Sequence, residues 1–191
     1  AGILKDTEAE VLSFVRNANT LPCTGVVIPV LYTIANRNTR YLQRVHRISK
    51  KPIIVYNRER RSLNSTAAVR AWDALSQIIA VKDSSMNVPF LKKLIALRRR
   101  GALRVRIYQG MEHLLLRSAG CDGYIISLLN TEPGLCREMF VKQDRVSNEK
   151  IVEQFWRQNL GGNWYVTLKA ILCERGIIRS AEEVRPRVQP I

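Results

Sequence analysis

Lys82 has the clearest capacity for covalent chemistry in this chain. It follows Ile78-Ile-Ala-Val81 directly, so it closes an apolar run instead of sitting on a solvated face. A lysine there is partly desolvated, which disfavours the ammonium and lowers its pKa. The neutral amine can attack a carbonyl and form a Schiff base. Tyr56 closes the preceding apolar run, Pro52-Ile-Ile-Val-Tyr56. If the two runs are neighbouring parallel strands their ends meet, and the phenol can relay a proton beside an imine. Arg60 and Arg61 follow in the next loop, where an arginine can hold a carboxylate through both oxygens. Each has a plainer reading as well. Lys82 can snorkel to solvent or pair with Asp83, Tyr56 can be a rim aromatic, and the arginines can be solvated charges.

The elements that must position these residues alternate between short apolar runs and longer helical patterns. Thr7 and Glu10 have capping-box spacing and open a helix with Val11, Leu12, Phe14 and Val15 on its apolar face. Strands are expected over residues 24–29, 52–56, 78–81, 103–108 and 123–129. Between them, helices are expected over residues 39–48, from Asn64-Ser-Thr66 through Leu75, over 87–100 with Pro89 in the first turn and Gly101 as the stop, and over 111–119 closed by Gly120. After Asn130 only helices follow, over 135–141, 148–160 and 164–175, with a second capping box at Ser180 and Glu183 and a stop at Pro186. Strands about 25 residues apart with a helix between them predict βαβ units and a parallel sheet. No glycine-rich phosphate loop of either common pattern follows a strand, which argues against a nucleotide-binding doubly wound sheet. The expected fold is therefore α/β, a partial (β/α)8 barrel of about five strands over residues 1–134, with a C-terminal helical extension over 135–191. Working residues then sit at the C-terminal ends of the strands, where Tyr56 and Lys82 fall.

The 191 residues carry 31 Lys and Arg against 16 Asp and Glu, a formal charge of +15. Such a balance admits nucleic acid, anionic membrane or small acids as partners and selects none. No apolar run reaches the roughly 18 residues that cross a bilayer, so no membrane span is expected. Cys23, Cys121, Cys136 and Cys173 are scattered, and His46 and His113 are isolated. No metal site, no cofactor and a reducing, cytoplasmic setting are therefore expected. Nine basic residues between positions 37 and 61 face one acid, Glu59. Yet Arg37, Arg40, Arg44 and Arg47 recur at helical spacing without a recognition motif, so specific nucleic-acid binding is not expected. The chain opens on Ala1, and a preceding segment is expected.

Pro52-Ile-Ile-Val-Tyr-Asn57, Arg61-Ser62 and Ile79-Ala-Val-Lys-Asp-Ser-Ser85 together resemble the dihydrodipicolinate synthase / N-acetylneuraminate lyase family. Gly110, Cys121-Asp-Gly-Tyr-Ile-Ile-Ser127, Asn130, Pro133 and Arg185-Pro186 match its later segments in order. The resemblance implies a (β/α)8 barrel, usually a homotetramer, and metal-free class I aldolase, lyase or dehydratase chemistry on pyruvate or a 2-keto-3-deoxy sugar acid. It implies that Lys82 forms the Schiff base and Tyr56 shuttles the proton. It implies that Arg61, Ser62, Tyr32, Gly110 and Ile125 bind the substrate. The family's Gly-Thr-Thr-Gly-Glu segment is missing, Ala1-Gly2 looks like the end of its third strand, Glu59 replaces a usual proline and Met86 a usual glycine. An N-terminally truncated relative is expected from this. The alternative is an impaired paralogue that acts as a binding or regulatory subunit.

Overall fold

Runs of Ile and Val form a parallel sheet here because amphipathic helices cover one of its faces. The computed structural model describes residues 1–182. Within the unit Ala1–Ile125, the strands are β1 (Val26–Pro29), β2 (Ile53–Arg58), β3 (Ile78–Ser84), β4 (Arg106–Gln109) and β5 (Gly123–Tyr124), hydrogen-bonded in chain order. All four pairings are parallel. Gly2 forms a parallel bridge to Val27, so Ala1-Gly2 occupies the sheet position beyond β1. The helices are α1 (Glu8–Ala18), α2 (Ala35–Ile48), α3 (Thr66–Asp73) and α4 (Val88–Arg99). This is the α/β architecture of a partial (β/α)8 barrel.

Period-two alternation separates the two faces of the sheet. In β2, Ile53, Val55 and Asn57 are buried, while Ile54, Tyr56 and Arg58 are half-buried. The buried face meets Val11 and Val15 of α1, Leu42 and Val45 of α2, Trp72 of α3 and Leu94 of α4 in one core. Side-chain caps fix three helix starts: Thr7 accepts from Glu10 N, Ser65 from Ala68 N and Asn87 from Phe90 N. Each such cap contributes about 1 kcal/mol.

Several boundaries differ from the sequence expectation. β3 continues to Ser84, so Lys82 lies inside a strand and not at its last residue. β4 begins at Arg106 because the Asp73 carboxylate takes the N–H groups of Arg104 and Val105. The helix expected over 111–119 is two 3-10 turns, Glu112–Leu114 and Leu116–Ser118, and the Ser118 hydroxyl donates to the carbonyls of Leu114 and Leu115. The strand expected over 123–129 is only Gly123–Tyr124. Among the described residues β5 pairs with β4 alone; its last bond runs from Ile125 N to Gln109 O, and the chain then tightens into a 3-10 turn at Leu128–Asn130.

The second unit, Ile126–Ile191, holds α5 (Pro133–Lys142), α6 (Arg145–Arg157) and α7 (Trp164–Glu174). The division between units falls after Ile125, whereas the helical pattern alone placed it after 134. Asp144 caps α6 by accepting from Ser147 N, where the sequence reading began that helix at 148. Glu182 N donates to Ser180 Oγ at 3.0 Å. Glu183, Arg185 and Pro186 lie outside the described residues. Among the described residues, no helix is long and apolar enough to cross a membrane.

Candidate active site

β2 and β3 run in parallel register, with Tyr56 opposite Lys82 and Asn57 opposite Asp83. Alternation then sends the first pair to the half-buried face and the second pair into the core. The Lys82 Nζ lies 4.5 Å from the centroid of the Tyr56 ring. It therefore meets the face of the ring, where a cation is held by the π electrons. Burial lowers the Lys82 pKa, and the Glu112 carboxylate opposes that by favouring the ammonium. Desolvation is the larger of the two effects.

Gly110 follows β4 and closes over this lysine. A Cβ built there would come within 2.8 Å of Lys82 Cε and would also strike Ser84 Oγ. The position requires glycine because backbone and lysine side chain touch. The approach is fixed, since Gly110 N donates to Asp83 O and to Gln109 Oε1, both at 2.8 Å. Ile125 follows β5, which pairs Tyr124 with Gln109, so Ile125 sits beside Gly110 at the strand ends.

Arg61 and Ser62 lie on the loop after β2. The Arg61 guanidinium is turned to Asp6, donating to its carbonyl at 2.9 Å. Arg58 also pairs with the Asp6 carboxylate. Tyr32 is engaged elsewhere: its hydroxyl donates to Glu8 Oε2 at 3.3 Å, and the Arg37 guanidinium lies 4.5 Å over its ring. The structure thus brings Lys82, Tyr56, Gly110 and Ile125 to one group of strand ends. It leaves Arg61 on Asp6 and Tyr32 on Glu8.

Two residues not singled out from the sequence join the lysine. Ser84 is buried on the same strand face, two residues on, and its hydroxyl has no hydrogen-bond partner among the described residues. Glu112 is buried and is the carboxylate that acts on the Lys82 charge. Period-two spacing from Lys82 was the available signal for Ser84. Nothing in the spacing separated Glu112 from a surface acid.

Met86 adopts φ +64°. A side chain in that left-handed region is strained. Met86→Gly is expected to stabilise the fold by roughly 0.5–1 kcal/mol, the strain relieved less the added chain entropy of glycine. A higher urea midpoint at unchanged slope checks this.

Among the described residues, no group of three His, Cys, Asp or Glu side chains could hold a metal ion. A cleft of about 850 Å³ in the second unit is lined by Glu132, Arg157, Thr167 and Arg175, and it shares no residue with the lysine site. On the basic face of α2, Arg44 is paired with Glu8 and Arg37 is spent on Tyr32.

Comparison with known proteins follows the same line. The profile of the Dihydrodipicolinate synthetase family matches residues 7–186. The 4-hydroxy-tetrahydrodipicolinate synthases of Chlamydia trachomatis serovars D and A are 28% identical over 151 residues, covering 75% of this chain and 50% of theirs. The chain thus spans about half the length of these curated relatives. Among solved structures, a monomeric dihydrodipicolinate synthase variant superposes with a TM-score of 0.81 at 20% identity, covering 100% of this chain and 67% of that one. The Bacteroides thetaiotaomicron dihydrodipicolinate synthase gives 0.79 at 18% identity, covering 97% and 67%. The Escherichia coli K12 prophage protein YagE, solved with pyruvate, gives 0.76 at 21% identity, covering 99% and 68%.

Proposed function

Because the chain belongs to the Dihydrodipicolinate synthetase family, we propose that Lys82 forms a Schiff base with the 2-carbonyl of pyruvate or of a 2-keto-3-deoxy sugar acid, in class I aldolase, lyase or dehydratase chemistry. The observation that carries this is the lysine itself, desolvated, held over the Tyr56 ring and overlain by the Gly110 backbone.

The neutral Nζ attacks the carbonyl carbon and gives a carbinolamine. Loss of water from that adduct leaves the imine. The Tyr56 phenol, on the neighbouring strand end, serves as the proton relay once its ring shifts from beneath the amine. Arg61 meets the substrate carboxylate by exchanging Asp6 for it, an exchange between two carboxylate partners at a solvent-accessible position. Ser62, Gly110 and Ile125 line the pyruvyl end. Assembly as a homotetramer belongs to the same reading and is checked by sedimentation velocity.

The test is reductive trapping. The protein is incubated with pyruvate, borohydride is added, and the intact mass and the modified peptide are measured. A reduced pyruvyl adduct on Lys82 is expected. A folded preparation that gives no adduct on Lys82 would overturn the proposal.

A further inference from the structure

Asp83 is a buried carboxylate that the proposed chemistry does not use. It is 2% exposed, and burial raises its pKa. Among the described residues no cation is paired with it; its acceptors are filled by neutral donors. Asn57 Nδ2 donates to Oδ1 at 2.6 Å and Ser85 Oγ donates to Oδ2 at 3.1 Å. A carboxyl side chain kept in a core on neutral donors needs a reason beyond packing.

The partners of Asp83 supply one. Asn57 brackets Leu63 with both halves of its amide, accepting from Leu63 N at 2.8 Å and donating to Leu63 O at 3.2 Å. That bracket closes the excursion of residues 58–62, which carries Arg61 and Ser62. Ser85 Oγ accepts from Asn87 N at 3.3 Å, and Asn87 caps α4. The backbone carbonyl of Asp83 takes the N–H of Gly110 at 2.8 Å. One residue, adjacent to Lys82 in the chain, thus ties the loops after β2, β3 and β4 together.

We infer that Asp83 is a positioning residue, which through Asn57 and Ser85 sets the loop of Arg61 and Ser62 and the start of α4 against Lys82. This rests on the Schiff-base reading for its kinetic consequence, but its structural consequence stands apart from it. The causes at work on the charge of Lys82 are burial and Glu112. A positioning role therefore leaves the pH dependence of trapping unmoved. The carboxylate works as an acceptor, so an amide of the same shape can replace it: Asn at 83 offers one oxygen to Asn57 and turns its NH2 toward Ser85.

The experiment compares Asp83→Ala and Asp83→Asn. Asp83→Ala is expected to raise the half-saturating pyruvate concentration for trapping about tenfold, with the plateau and the pH midpoint unchanged, because misplacement rather than chemistry is affected. Asp83→Asn is expected to restore the wild-type value. Hydrogen exchange gives a readout independent of activity: the Leu63 amide exchanges about tenfold faster in Asp83→Ala and at the wild-type rate in Asp83→Asn. Should Asp83→Ala fail to fold, Asp83→Val fills most of the same space without an acceptor, leaves the Asn57 bonds to Leu63 in place and carries the same expectations. A pH midpoint that moves, an Asn variant that does not rescue, or an unchanged Leu63 exchange rate overturns the inference. If the wild type traps nothing while the exchange results hold, the Schiff-base reading has failed and the bracket stands.

Discussion

Lys82→Ala is expected to reduce the trapped pyruvyl adduct to background, and Lys82→Arg to do the same, since a guanidinium forms no imine under these conditions. Loss of a covalent nucleophile costs on the order of 10³-fold or more. The pair of variants separates nucleophilicity from charge, because arginine keeps a cation over the Tyr56 ring. Lys82 is itself half-buried in β3, and circular dichroism of both variants checks that the fold is kept. Trapping retained in Lys82→Ala would move the reactive amine to another lysine.

The pH dependence follows from the causes acting on the amine. Burial holds its pKa below the ordinary 10.5, so trapping rises with pH and levels off before that value. Glu112→Gln removes the carboxylate that favours the ammonium, and the midpoint is expected to move further down. Stability carries the same signature with a definite sign. The folded state releases its proton at lower pH than the unfolded chain. Between the folded-state pKa and 10.5 the unfolded state therefore binds more protons, and stability rises with pH across that window. Below it the cost of the buried ammonium is fully present. Urea midpoints of wild type and Lys82→Met across this range should converge as pH rises.

The amine was legible in the sequence because a strand of Ile and Val leaves few places for a lysine, and the apolar run next to it ends in tyrosine. The parallel order was legible for the same reason, since buried strands separated by capped helices have few other solutions. The rest depended on facts that spacing does not carry. That Asn57 faces Asp83 is a matter of register. That the strand after Gly123 stops at two residues depends on β5 bonding to one neighbour only. Tyr32 carries the right chemistry at a strand end, yet Glu8 and Arg37 claim its hydroxyl and its ring. Met86 is the reverse case: read from the sequence as a departure from a usual glycine, it sits where the backbone turns left-handed.

Gly110→Ala tests how tightly the backbone is set against the lysine. The added Cβ would strike Ser84 Oγ, come within 2.8 Å of Lys82 Cε and lie 3.1 Å from Asp83 O. The glycine cannot retreat, because its N–H is bonded to the Asp83 carbonyl and the Gln109 side chain. Relief must come from the hydroxyl and the lysine, so a destabilisation of about 1–3 kcal/mol is expected, as for other overpacked sites. The lysine shift has a second consequence. A displacement near 1 Å can cost about 100-fold in rate, so trapping in Gly110→Ala should be at least tenfold slower. A double variant divides the two effects. Ser84→Ala removes the oxygen but leaves the contact with Cε, so Ser84→Ala/Gly110→Ala should recover part of the stability and little of the trapping rate. The coupling between the two substitutions measures the clash directly. Full recovery of trapping in the double variant would show that the serine hydroxyl alone, and not the lysine, makes glycine necessary at this position.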